Sequence, residues 1–318
     1  MPFILIKGTF HLVNTTSNNR QVGFQPDGDS MQFKPANANL LDKLEKIGRP
    51  YDLTNIGSVQ LRFEGIDALE LHYQPRGARS THQPRPLGDN ARDFLTGLAK
   101  LNPVPYVAPR NISVDPPIER DATPGYILSR SLEVNGRPVA FAFAGTTTKK
   151  DGSAVNLTIA TLKRSSNYKL LLNGHAYPLF YDTLFADLRT TLADATRKAR
   201  AGNLGLWAHD GSMTGIVAQD QESLELRGVT FPKLFRRLAD YFAKTKDTLP
   251  NFMKWLKATR EQVQDLDPDS ETFTNVTHFD NMVRVASGKV SLRQQPETML
   301  FISAKSPTEP FVSLPEVY

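Results

Sequence analysis

The chain has 318 residues, 40% of them apolar, and no cysteine; that length allows a sizeable core and suggests two domains, while disulfides and thiolate metal sites are excluded. The net charge is +5, and beyond residue 210 the 13 Lys and Arg are matched by 14 Asp and Glu, so the basic surplus lies in the first 210 residues, where a polyanion would dock. No stretch approaches the roughly 18 apolar residues of a membrane span, and Met1 to Gly8 lacks the basic n-region of a signal peptide; the expectation is a cytoplasmic protein with no membrane partner, or a secreted one if a leader precedes this sequence.

Phe10 to Val13 and Met31 to Phe33 read as strands on either side of a turn at Asp27-Gly28-Asp29-Ser30. Leu40 to Ile47 reads as a helix stopped by Gly48 and Pro50. Val59-Gln60-Leu61-Arg62-Phe63 alternates with period two, which puts Val59, Leu61 and Phe63 on one face and Arg62 on the other. A helix is predicted from Asn90, with Phe94, Leu95 and Leu98 as its buried stripe. Six prolines between residues 101 and 125 predict an extended surface loop. Tyr126 to Val134 and Arg137 to Phe143 read as a hairpin around Asn135-Gly136, whose type I′ turn would put Arg137 at the head of the returning strand. Leu184 to Arg200 predicts a helix that buries Leu184, Leu188, Leu192, Ala195 and Ala199 and stops at Gly202.

Past residue 210, two segments beginning at Thr230 and Thr248, each with a Pro two residues or so later, read as N-capped helices packed as a hairpin. Met282 to Val285 and Val290 to Arg293, joined through Ser287-Gly288, read as a β-hairpin, and Met299 to Ser303 as a strand. Together these elements predict an α+β chain: a five-stranded OB-type β-barrel with packed helices, plus a mainly helical C-terminal extension with a β-hairpin. The expected domains are 1–210, with insertions at about 35–58 and 72–125, and 211–318. A chain ending near Asp210 is expected to fold on its own, with the extension serving a protein partner or self-association.

Three stretches carry chemistry: Asp27-Gly28-Asp29-Ser30, Arg62 to Glu70, and Asn135-Gly136-Arg137-Pro138. They supply two carboxylates for a hard cation, a third for a base, and two arginines, the set that metal-assisted phosphodiester cleavage requires. Each also has a plain structural reading, since Asp-Gly and Asn-Gly mark turns.

The order of these stretches, followed by Asn167 to Tyr177 and then Gly205-Leu206-Trp207-Ala208, resembles the staphylococcal nuclease (thermonuclease) family over residues 8 to 210 or so. The resemblance implies metal ligation by Asp29, Asp67 and the Ala68 carbonyl, Glu70 as general base, and Arg62 and Arg137 clamping the phosphate. It implies Ca²⁺ as the metal, although the residue types also admit Mg²⁺. The implied substrate is DNA, with RNA left open. Phe180 and Tyr181 match the family's nucleotide-stacking positions loosely, and His72 is a second candidate base. The family's Thr-Pro between metal ligand and base is Ala68-Leu69 here. The rival reading is a non-catalytic OB-type module that binds nucleic acid or protein.

Overall fold

The computed structural model describes residues 2–303 except 13–14, 18–19, 25, 102–110, 115–121, 246–247 and 272. By their contacts the residues fall into two compact units, Met1–Glu64 with Asn90–Leu170, and Gly65–Asp89 with Leu171–Tyr318.

In the first unit five strands close into a mixed barrel: β1 (Phe3–His11), β2 (Ser30–Pro35), β3 (Val59–Phe63), β4 (Thr123–Leu132) and β5 (Pro138–Ala144). Their order is β1-β2-β3-β5-β4, with β4 pairing back to β1, and every neighbour is antiparallel except β3 with β5. This topology is compatible with the OB-type barrel expected from the sequence. The alternation in β3 holds: Val59, Leu61 and Phe63 are buried, Gln60 is exposed and Arg62 is half-buried. At Gly8 the strand β1 lies against both β2 and β4. A Cβ there would stand 2.2 Å from the Lys34 carbonyl oxygen, so only glycine lets the strands approach this closely. The buried amide of Asn167 ties the parallel pair together. Its Oδ1 accepts the Ala142 N–H, and its Nδ2 donates to the carbonyls of Glu64 and Ala140.

Several local expectations are revised. Leu40 to Ile47 is not an α-helix; Ala38–Lys43 forms a 3-10 helix, capped by the Asn37 side chain accepting the Asn39 N–H, and Glu45–Lys46 pairs with β4 as a short strand. A single tight turn already buries Leu40 and Leu41, so further helix has nothing to gain by burial. The helix α1 spans Arg85–Leu98, beginning ahead of Asn90 because Pro86 fits the first turn, where its missing N–H is no loss. Ala91 and Leu95 are its buried apolar side chains, whereas Phe94 and Leu98 are half-buried. Of the expected loop at 101 to 125, Asn111–Val114 is a strand paired with Arg20–Phe24, and Pro124 sits in β4. Pro103, Pro105, Pro109, Pro116 and Pro117 lie outside the described residues, as does Val13.

The helix α2 (Ser166–Leu172) lies mostly in the first unit, and the second unit's helices are α3 (Ala186–Ala201), α4 (Gln221–Arg227), α5 (Pro232–Thr245) and α6 (Phe252–Ala258). One four-stranded sheet runs Phe180–Tyr181, Met299–Phe301, Gln262–Asp265, Val276–His278, and a three-stranded sheet contains the hairpin Val283–Ala286 with Lys289–Leu292. Ser287 and Gly288 both have positive φ, 51° and 72°, as a type I′ turn demands. Neither expected threonine cap forms: Thr248 makes no capping bond, and the Thr230 hydroxyl donates to Ser212 instead. One hydrophobic core joins Leu69, Tyr177, Leu179 and Trp207 to Phe231, Leu234, Phe235, Leu238, Tyr241, Phe252 and Phe301. That core runs straight across residue 210, and the contacts divide the chain elsewhere than there. Among the described residues no helix is long and apolar enough to cross a membrane.

Candidate functional site

Asp29, Arg62 and Arg137 belong to the barrel unit; Asp67, Ala68, Glu70, Phe180 and Tyr181 belong to the second. Asp29 is half-buried in the turn that enters β2, where its carbonyl accepts the Phe63 N–H at 3.0 Å and so fixes it beside the end of β3. Arg62 lies opposite Ser30 in the β2–β3 register. Two residues on, Glu64 is buried; burial raises its carboxyl pKa, and the charges of Arg130 and Arg62 pull it part of the way back.

Arg137 sits in the β4–β5 turn, and that turn is not the type I′ expected. Gly136 has φ of 83°, while Asn135 is not left-handed. The Gly136 N–H closes onto the Glu133 carbonyl at 2.8 Å, which puts Val134 and Asn135 at the turn's centre and leaves Arg137 one residue short of β5. Its Nε donates to Glu133 Oε1 at 3.1 Å and its backbone N–H to the same oxygen at 3.3 Å. The guanidinium is therefore held by a carboxylate of its own turn, with the side chain 27% exposed.

In the second unit the chain pairs Ile66–Asp67 with Tyr177–Pro178, and Asp67 is wholly buried. Both of its oxygens accept from one arginine that the sequence reading gave no role, Arg236 on α5. Nη1 reaches Oδ1 at 3.0 Å and Nη2 reaches Oδ2 at 2.9 Å. The same Nη1 donates to Glu70 Oε1 at 2.5 Å. This fork is the bidentate geometry in which guanidinium binds a carboxylate most strongly. Burial alone would lower the Arg236 pKa, but the charges of Asp67 and Glu70 hold it well above the ordinary arginine value.

The Glu70 backbone is fixed as well. Its N–H donates to Gln83 Oε1 at 3.2 Å, and its carbonyl accepts the Gln83 N–H at 2.8 Å. The buried Gln83 amide in turn donates to the carbonyls of Gly228 and Thr230 at 2.7 and 2.8 Å, just ahead of α5. Around Arg236 the polar stripe of α5 continues. Lys233 and Arg237 both bind Glu261, and Asp240 accepts the Tyr73 hydroxyl at 2.9 Å. The Tyr73 pKa is raised, first by burial and then by the Asp240 charge.

Ala68 is buried next to Asp67, and His72 is half-buried. Phe180 is fully buried, so its ring has no face open to a base. The Tyr181 hydroxyl accepts from Lys233 Nζ at 3.2 Å, and its ring packs against Phe301.

Asp67 and Glu70 were legible as chemistry in the sequence. Arg236 was not, because it borders the apolar face of an amphipathic helix 169 residues away from Asp67, and no local spacing links the two. As arranged, these residues do not fit a calcium ion. Both Asp67 oxygens already face charged nitrogens, and a second cation beside the guanidinium would be repelled.

No model of a known protein family matches the chain, and no curated protein matches it.

Proposed function

We propose that the protein is a nuclease, hydrolysing phosphodiester bonds of DNA, with RNA left to the digestion experiment below, and with Glu70 as general base and Arg62 and Arg137 stabilising the charge that builds on the phosphate. The observation that carries this reading is the convergence of Asp67 and Glu70, three residues apart, on one nitrogen of one cation. Such a pair of carboxylates, one buried and one near the surface, is arranged around positive charge rather than scattered as solvated side chains. The arginines of the barrel unit offer planar forks that match phosphate oxygens. Dependence on Ca²⁺ or Mg²⁺ is part of the proposal and requires that Arg236 leave the two carboxylates.

A second reading, an OB-type module that binds nucleic acid or protein without cutting, is favoured by one observation: the positive charge between Asp67 and Glu70 is the chain's own arginine. The discriminating experiment is digestion of plasmid DNA and of RNA by purified protein with Ca²⁺, Mg²⁺ or chelator, alongside Glu70→Gln. Cleavage that depends on Glu70 supports the nuclease. Tight binding with no cleavage in any of these conditions supports the module.

A further inference from the structure

We infer that Arg236 is a resident cation which excludes a divalent metal from the Asp67–Glu70 carboxylates, so that metal binding and the Arg236 ion pair are alternatives at one position. The inference rests on the nuclease reading only for its purpose; the exchange itself follows from the geometry. Asp67 is fully buried, and both of its oxygens are met by the Arg236 guanidinium. Nη1 stands 3.0 Å from Asp67 Oδ1 and 2.5 Å from Glu70 Oε1. Hard divalent ions hold carboxylate oxygens at about 2.3–2.6 Å, so an ion replacing that nitrogen needs little movement of either carboxylate. Nothing larger than a side chain has to leave. The helix α5 is locked into the core by Leu234, Phe235, Leu238, Ala239 and Tyr241, all buried. Gln83 holds the Glu70 backbone to the carbonyls that precede that helix. The part that has to move is the Arg236 side chain, 18% exposed.

The test measures metal binding directly, by calorimetry with Ca²⁺ and by terbium luminescence, on full-length wild type, Arg236→Met and the double variant Arg236→Met with Asp67→Asn. The expected result is at least about a tenfold gain in Ca²⁺ affinity for Arg236→Met, abolished in the double variant. Equal affinity of wild type and folded Arg236→Met would overturn the inference. Because Arg236→Met leaves Asp67 without a partner, Arg236→Lys is measured beside it. Lysine keeps the charge but not the fork and is expected to fall between the two. If neither variant folds without metal, recovery of the fold at millimolar Ca²⁺ supports the exchange, and failure to recover counts against it. Cleavage by the same proteins separates the two ideas. A folded Arg236→Met that binds Ca²⁺ tightly, with neither it nor wild type cutting, overturns the nuclease and leaves the exchange intact, whereas a cutting wild type with unchanged affinity in the variant does the reverse.

Discussion

Glu261 is the residue at which burial and charge are most openly opposed. Burial raises its pKa, yet Lys233 and Arg237 outweigh burial and bring it from 4.5 to about 2. Because the folded value lies below the unfolded one, the unfolded chain binds more protons between those two values. The stability that Glu261 contributes is therefore complete above about pH 4.5 and is lost as pH falls toward 2. The loss is on the order of 3 kcal/mol. Urea midpoints measured across that window are expected to fall steeply for wild type and less for Glu261→Gln; parallel curves would show that the two cations find other partners. Asp67→Asn breaks a buried pair and leaves Arg236 with Glu70 alone, so it is expected to lower unfolding stability by about 3 kcal/mol. Glu70→Gln keeps size and most packing but removes the base. Under the nuclease reading kcat drops by roughly 10²–10⁴ with nucleic-acid binding retained, and near-normal turnover would move the base role to His72.

At the scale of single elements, α5 carries Lys233, Arg236, Arg237 and Asp240 at helical spacing along one stripe, each with a partner, while its other side fills the core. Gln83 is the brace between the Glu70 backbone and the start of that helix. Gln83→Leu leaves the Gly228 and Thr230 carbonyls without their donor and is expected to cost about 1–3 kcal/mol, read as a lower thermal midpoint; an unchanged midpoint would mean that water replaces the amide. What the sequence made legible was local. The alternation of Val59 to Phe63 and the Ser287-Gly288 turn each rest on rules that act within a few residues, and both hold. The turn before Arg137 was misjudged because Asn135-Gly136 suits two turn geometries, and the Glu133 side chain, which accepts from the Asn135 and Arg137 N–H groups, settles which forms. The helix expected at Leu40 failed for a related reason, since Asn37 offers a side-chain acceptor that a 3-10 turn uses. The Arg236 pairing left no trace at all in spacing, because tertiary packing alone decides it.

For the whole molecule, the shared core changes what removal of the C-terminal region does. A chain ending near Asp210 was expected to fold alone, but it lacks Phe231, Leu234, Phe235, Tyr241 and Phe252, which pack with Leu69, Tyr177 and Trp207. Such a chain is expected to expose a large apolar surface and aggregate; a soluble product with a cooperative unfolding transition would show that Leu69, Tyr177 and Trp207 close a core without them. The same long-range pairing has a consequence in time. Asp67 leaves the ribosome 169 residues before its partner Arg236. At translation rates of about 5–20 residues per second, that is roughly 10–30 s. Throughout that interval the nascent chain carries both carboxylates without the guanidinium that meets them in the folded protein, so this segment cannot reach its final pairing until α5 has been made.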